Sequence, residues 1–175
     1  QETDNRVILE QLLIKKAASY RERVLAYFDF EYSGHAPDSL YFSREIVRSG
    51  SYSYLMNEAN EFSPGIEMPI KDLNTTEGAR ISASIFHHFN SAPQENPPLL
   101  VLSLQKKEKI FFYQAWEIRP VMFHEWEESS FEHALPEWKS PNDILKVYIW
   151  NKGRQQFHID DLTIGLKEPI KDGLN

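Results

Sequence analysis

Alternation of apolar and polar residues dominates the chain from about residue 25 onward. Two segments show it most clearly: residues 28–31, with the sequence FDFE, and residues 157–164, with the sequence FHIDDLTI. A period of two residues is typical of a β-strand that buries one face. Because these segments lie near the two ends of the chain, we expect the first and last strands to pair and to bring their acidic residues together.

The first part of the chain has a different pattern. Apolar residues recur near helical spacing from Val7 to Leu25, charged residues fill many of the positions between them, and no Gly or Pro occurs before Gly34. An apolar stripe of this period is typical of an amphipathic helix. The pattern predicts a helix over residues 4–26.

The remaining sequence consists of short runs rich in Val, Ile, Phe and Tyr, separated by Gly, Pro, Ser and Asn. The predicted strands cover residues 25–32, 40–47, 51–56, 66–70, 79–89, 99–105, 110–116, 121–127, 144–150 and 156–166. No helix alternates with these strands, which argues against a doubly wound α/β fold. We therefore predict an all-β fold, an antiparallel β-sandwich preceded by one N-terminal α-helix.

The length of 175 residues fits one main domain. We expect an N-terminal helix at residues 1–24, the sandwich domain at residues 25–166 and a frayed C-terminal tail at residues 167–175. The chain begins at Gln1 without a signal-peptide pattern, so we expect an excised fragment or a mature form of a longer protein.

Charge and composition exclude several classes of function. The net charge of −7 argues against nucleic acid as a partner, because phosphate binding needs clustered cations. The absence of Cys excludes disulfides and thiolate metal sites. No apolar run approaches the roughly 20 residues needed to span a bilayer.

No catalytic motif is present. The sequence lacks G-x-S-x-G, a P-loop, G-x-G-x-x-G and H-E-x-x-H. His87 and His88 are adjacent, and on a strand they point to opposite faces, so they cannot share one metal ion. The acidic run over residues 125–132 is predicted to be a solvated loop. We therefore expect no enzymatic activity.

Several short motifs occur in a recognisable order. They are DFE at 29–31, SGSYSY at 49–54, a long alternating strand at 79–89, DILKVYIWN at 143–151 and IDDLTI at 159–164. In this order they resemble the galactose-binding-like jelly-roll β-sandwich of carbohydrate-binding modules and of accessory domains in bacterial surface proteins. The resemblance covers about residues 25–166 and implies a jelly-roll fold more than an activity.

The resemblance also implies a metal ion. Many members of this family hold a structural calcium between the first and last strands. Carried over to this chain, the ligands fall on Asp29, Glu31, Asp160 and Asp161. Calcium takes about six to eight oxygen ligands, which carboxylates and backbone carbonyls supply. The alternative is that Asp29 and Asp160 face solvent at strand edges, or pair with Arg44, Arg48 or Lys146.

A glycan is the first ligand that the resemblance suggests. Sugar binding needs an exposed aromatic ring for the apolar sugar face and nearby polar groups for its hydroxyls. The candidate ligand-binding residues are Tyr52, Tyr54, Trp116, Trp126, Trp138 and Arg119. Trp150 ends an alternating strand, so we expect it to lie opposite the aliphatic core face of that strand.

These observations predict a non-catalytic binding module of a larger bacterial envelope or extracellular protein, with other domains of the same polypeptide as partners. The N-terminal helix could mediate a homodimer, and an upstream membrane segment could tether the module in the periplasm or outside the cell. The alternatives are a structural or protein-interaction domain without a small ligand, and a glycoside-active enzyme.

Overall fold

The computed structural model describes residues 20–31, 39–75, 78–93 and 95–170. Over these residues the chain forms ten β-strands, which are β1 (Tyr20–Phe28), β2 (Phe42–Ser43), β3 (Ser53–Met56), β4 (Ile66–Pro69), β5 (Arg80–His88), β6 (Leu99–Lys106), β7 (Lys109–Glu117), β8 (Trp126–Ala134), β9 (Ile144–Trp150) and β10 (Phe157–Pro169). The same residues include one α-helix, α1 (Ile70–Leu73), and a 3₁₀ helix at Ser39–Tyr41. Neither described helix is long and apolar enough to cross a membrane.

The strands form two antiparallel sheets. The larger sheet has the order β2-β3-β10-β5-β8, and β1 also pairs with β10. The smaller sheet has the order β4-β9-β6-β7. The prediction of an all-β sandwich is confirmed, and the finer description as a jelly roll stays a prediction.

The hydrophobic core lies between the two sheets and follows from the alternation along the strands. On β9, Leu145, Val147 and Ile149 are fully buried, and the residues between them are only half-buried. Trp116 of the smaller sheet stacks on Phe131 of the larger sheet, with ring centroids 4.0 Å apart. Each inward residue therefore packs against the opposite sheet, and each outward residue is left to form the surface.

The expected pairing of the first and last strands is confirmed. Strand β1 runs antiparallel to β10, from Tyr20 opposite Pro169 to Phe28 opposite Leu162. The register of β10 against β5 shifts between Asp160 and Thr163, which marks a β-bulge. A bulge redirects side chains, and here it lies beside the acidic residues of β10.

The predicted helix over residues 4–26 is wrong for residues 20–26, which belong to β1. The charged residues that suggested a helix surface instead reach the neighbouring strand, because Arg21 and Arg23 both approach Glu168, at 3.4 and 3.9 Å. Pairing with β10 overrides the local helical pattern. The earlier part of that helix, and the homodimer expected through it, lie outside the described residues.

Four other segments also differ from the prediction. The acidic run over residues 125–132 is not a loop, because β8 covers it and Glu132 pairs with Arg80 at 2.5 Å on the neighbouring strand β5. The strand predicted at 121–127 is correspondingly displaced, and the one predicted at 40–47 shrinks to β2. Residues 167–169 belong to β10 and not to a frayed tail.

Candidate functional site

The acidic residues of β10 lie in a corner where this strand meets the loop over residues 48–52. Asp160 is fully buried and Asp161 is 6% exposed. The carboxylate of Asp160 accepts hydrogen bonds from the backbone N–H groups of Arg48 at 3.1 Å and Ser49 at 3.2 Å. A third backbone bond comes from Asp161 itself, at 2.9 Å. Asp160 therefore anchors the loop to the sheet.

Asp161 pairs with a cation from the same loop. Its Oδ2 accepts a short hydrogen bond from the Arg48 guanidinium, and its Oδ1 accepts bonds from the Tyr27 hydroxyl and, at 3.0 Å, from Ser49 Oγ. The Arg48 guanidinium carbon lies 3.4 Å from the centroid of the Phe86 ring. The guanidinium thus supplies the positive charge that a buried carboxylate requires.

Of the other two candidate ligands, Glu31 holds the opposite end of the loop and Asp29 bonds to the backbone of Glu31. Glu31 Oε1 accepts hydrogen bonds from the backbone N–H groups of Ser51 at 2.7 Å and Tyr52 at 3.1 Å. Asp29 Oδ1 accepts a bond from the Glu31 N–H at 3.0 Å. The structure thus brings Glu31, Asp160 and Asp161 to one loop, where their partners are protein donors.

Among the described residues, no group of three or more acidic or histidine side chains is placed to hold a metal ion. Burial raises the pKa of Asp160 to about 6. The hydrogen bond to Asp161 raises the pKa of the Tyr27 hydroxyl to about 12. The calcium prediction stays a prediction, which thermal melts decide. If calcium is bound, a chelator should lower the melting temperature. Equal melting temperatures with and without chelator would refute the calcium prediction.

Three of the candidate sugar-binding residues pack against the core. Tyr54 is 2% exposed. Trp116 stacks on Phe131, as described above. Trp138 is half-buried against the core and also lines a groove of about 490 Å³ beside Leu135 and Glu137.

The other three candidates each have a different neighbour. Tyr52 carries the Arg44 guanidinium over its ring, at 4.6 Å from the centroid. Trp126 is half-buried beside His88, with ring centroids 5.5 Å apart. Arg119 is exposed and pairs with Glu117 at 2.6 Å. The assignment of the six candidates to a ligand site stays a prediction.

A groove with the features expected of a sugar site lies elsewhere, on the outer face of the smaller sheet. It has a volume of about 360 Å³. The residues that bear on its chemistry are Phe62, Glu67, Ser103, Gln105, Lys146 and Tyr148. We call it the outer groove. None of the six candidates lines it.

An aromatic group borders the outer groove. Phe62 is 52% exposed, and its ring meets Tyr148 edge-on at a centroid distance of 5.6 Å. On its other side Phe62 stacks on Trp150, at 6.3 Å and an interplanar angle of 24°. The Trp150 indole N–H donates to Glu61 at 3.1 Å, which fixes the ring. We call Phe62, Tyr148 and Trp150 the aromatic wall.

Polar groups lie beside this wall. Lys146 pairs with Glu67 at 2.8 Å, across the register of β9 and β4. The hydroxyl of Ser103 is buried and has no hydrogen-bond partner. Burial raises the pKa of the Tyr148 hydroxyl, and Tyr113 on β7 adds to this effect. Glu67 is the only carboxylate among the described lining residues, so the pair that glycoside hydrolysis uses is absent from them.

Another groove, of about 370 Å³, lies on the outer face of the larger sheet. Its lining is rich in hydroxyls, such as those of Ser84 and Thr163. Its described lining has one aromatic residue, Phe131, which is 6% exposed and stacks on Trp116. This groove therefore offers no exposed ring on which a sugar could stack.

Part of the outer groove could be predicted from the sequence. The alternation along β9 places Lys146, Tyr148 and Trp150 on one face, and the expectation that Trp150 lies opposite the core is confirmed. Phe62 and Ser103 were missed, because they join this face only through the register of other segments. Two large aromatic residues on an outward face were the available signal.

Comparisons with known proteins add structural neighbours. No protein-family model and no curated protein matches the chain. A family 16 carbohydrate-binding module is 15% identical with a TM-score of 0.47, and the match covers 73% of this chain and 88% of that one. The second family 22 xylan-binding domain of Xyn10C from Paenibacillus barcinonensis is 13% identical with a TM-score of 0.45, over 82% and 97%.

The tandem of both family 22 domains of the same Paenibacillus barcinonensis protein is 11% identical, with a TM-score of 0.49, over 90% of this chain and 49% of that one. Carbohydrate-binding modules are thus structural neighbours of this chain, as the resemblance predicted. At these identities and TM-scores the matches assign neither a family nor a ligand.

Proposed function

We propose that this chain is a non-catalytic module that binds a glycan in the outer groove. The observation that carries the proposal is the aromatic wall, which is exposed at Phe62 and stands beside a polar floor. Sugar rings have apolar C–H faces that stack on aromatic rings, and their hydroxyls need hydrogen-bonding partners. The outer groove supplies both kinds of contact on one rigid sheet.

The charges of the groove favour a neutral glycan. The two charged residues of its described lining, Lys146 and Glu67, neutralise each other at 2.8 Å. An acidic sugar would need a cation that is not already paired, and it would approach a chain with a net charge of −7. A neutral oligosaccharide avoids both costs.

The setting belongs to the same proposal. The motif resemblance supports a module within a larger bacterial envelope or extracellular protein, where the domain would hold its polypeptide on a glycan. The absence of a second carboxylate from the described lining of the groove supports binding without hydrolysis.

We expect Tyr148→Ala to weaken glycan binding by about 30-fold, because an aromatic residue at the centre of a binding site typically contributes about 2 kcal/mol. Isothermal titration calorimetry with xylohexaose, cellohexaose and β-1,4-galactotriose measures the affinity of both proteins. An oligogalacturonide serves as the acidic comparison. A glycan array extends the search to other neutral sugars.

Tyr20→Ala is the matched control, because Tyr20 is 44% exposed on β1 of the other sheet. It should bind like the unsubstituted protein. Absence of binding to every sugar on the array would refute the proposed function, and so would unchanged affinity in Tyr148→Ala. Thermal melts of both variants test whether a loss of binding comes from a loss of folding.

A protein-interaction role is the second candidate, and one observation favours it. Val121, Met122 and Phe123 are consecutive and are 87%, 48% and 43% exposed in the segment between β7 and β8. The Glu127 carboxylate accepts bonds from the backbone N–H groups of Val121 and Met122, so this apolar tip is held in place. Phe123→Ser would leave glycan binding unchanged and would weaken such an interaction.

A further inference from the structure

Ser103 occupies an unusual position on the floor of the outer groove. Its neighbours along β6, Leu102 and Leu104, are fully buried in the core, so Ser103 points to the opposite face of the sheet. In register it lies between Lys146 on β9 and Tyr113 on β7. These longer side chains leave Ser103 only 1% exposed.

The hydroxyl of Ser103 is unsatisfied in this position. Its Oγ is buried and has no hydrogen-bond partner. The ammonium group of Lys146 is engaged by Glu67 instead. A buried hydroxyl without a partner is costly for folding, whereas an apolar residue such as the fully buried Val101, two positions earlier, carries no such cost. Because Ser103 lines the groove beneath these side chains, a ligand that shifts one of them aside can supply the missing partner.

We propose that Ser103 is the specificity-determining residue of the outer groove, and that its Oγ hydrogen-bonds one hydroxyl of a neutral sugar ring stacked on Tyr148. This inference rests on the proposed glycan binding. A serine hydroxyl can both donate and accept, which matches a sugar hydroxyl. A carboxylate or sulfate would instead seek a cation, and the cation beside Ser103 is already paired.

The consequence is discrimination between closely related sugars. A site built around a buried polar group rejects an analogue that lacks the matching hydroxyl, because the group then stays unpaired in the complex. The ligand class that follows is a neutral hexose or pentose unit with a free hydroxyl at one defined ring position. A sugar lacking only that hydroxyl would keep the stacking contact with Tyr148 and lose the contact with Ser103.

The test combines a protein change with a ligand change. Calorimetry compares the unsubstituted protein, Ser103→Ala and Ser103→Thr with the tightest-binding neutral sugar of the panel and with its monodeoxy analogues. We expect Ser103→Ala to bind the parent sugar about 5- to 10-fold more weakly than the unsubstituted protein does. For one monodeoxy analogue, the two proteins should have equal affinity. Ser103→Thr keeps the hydroxyl and should preserve the preference.

Ser84→Ala is the matched control, because Ser84 lies on the outward face of β5 in the other sheet. It should leave binding unchanged. Ser103→Ala should melt at the same temperature or higher, because it removes an unpaired buried hydroxyl.

The outcomes separate the two proposals. Unchanged affinity for the parent sugar in Ser103→Ala, with binding lost in Tyr148→Ala, would overturn this inference and leave the proposed function standing. A loss of affinity shared equally by the parent and every monodeoxy analogue would show that Ser103 acts through packing, and would also overturn it. Absence of binding to any sugar would refute both.

Discussion

Replacement of Arg48 by Met is expected to lower the free energy of unfolding by about 2–4 kcal/mol. The guanidinium is the cation that faces Asp161, a residue that is 6% exposed. Without it a buried carboxylate loses its counter-charge, which typically costs about 3–5 kcal/mol. We place the effect about 1 kcal/mol below that range because the Arg48 side chain is 34% exposed, so solvent screens part of the interaction. Urea unfolding followed by tryptophan fluorescence at pH 7 measures it.

A second substitution separates charge from packing. In the Arg48→Met background, Asp161→Asn removes the uncompensated charge and should recover part of the lost stability, although Asp161→Asn alone should destabilise the protein. Arg119→Met is the matched control, because Arg119 forms an exposed pair with Glu117 and its loss should cost less than about 1 kcal/mol. Equal unfolding midpoints for Arg48→Met and the unsubstituted protein would contradict the prediction.

The strands that the sequence predicts well are those with a buried inward face. Strand β9 was expected at residues 144–150 and is found at Ile144–Trp150, and β6 was expected at 99–105 and is found at Leu99–Lys106. Their continuous or alternating apolar residues leave only one way to bury the chain in a two-layer fold. The pairing of the first and last strands was predicted on a different ground, the alternation at residues 28–31 and 157–164 near the two ends of the chain.

The strands that were missed depend on partners distant in sequence. Strand β1 is mostly exposed, and its arginines acquire a role only opposite Glu168 of β10. Strand β8 carries acidic residues whose partners, such as Arg80 and Lys167, lie on two other strands. A short stretch of sequence around either strand contains none of these partners. The local pattern therefore predicted a helix for the residues of β1 and a loop for those of β8.

The candidate sites show the same limit. The acidic residues of both chain ends were expected near one another, and Asp160 and Asp161 do meet the loop that Glu31 also holds. Arg48 was one of three basic residues expected as possible partners of these carboxylates, and its pairing with Asp161 could not be selected because it belongs to a loop without periodicity. The outer groove required the register of three strands, which places Ser103 of β6 beside Lys146 of β9 and Tyr113 of β7.

Two buried histidines make the protein sensitive to acid. His87 is 1% exposed, and its Nε2 lies 2.8 Å from Ser129 Oγ. His158 is 3% exposed, and its ring centroid lies 6.4 Å from that of His88 on the neighbouring strand. Burial lowers the pKa of each to about 4 from an ordinary value of 6.5. Neutral imidazoles are therefore required in the folded state.

The direction of the pH effect follows from proton binding. Between pH 6.5 and 4 the unfolded chain protonates these histidines and the folded protein does not, so stability that is fully present above pH 6.5 is lost as the pH falls. Each shift corresponds to about 3 kcal/mol. Asp160 opposes this trend, because its raised pKa of about 6 makes the folded state bind a proton first. With that offset, we expect a net loss of about 4 kcal/mol from pH 7 to pH 4.

Urea unfolding at pH 7, 6, 5 and 4 measures the loss. His158→Leu should be as stable as the unsubstituted protein at pH 7, because it removes a buried ring nitrogen without a partner, and it should lose about 3 kcal/mol less on acidification. His124→Asn is the matched control, because His124 is exposed and its positive φ of 62° suits Asn. It should keep the full acid dependence. Equal losses of stability for His158→Leu and His124→Asn between pH 7 and pH 4 would show that the buried ring of His158 does not contribute to the acid response.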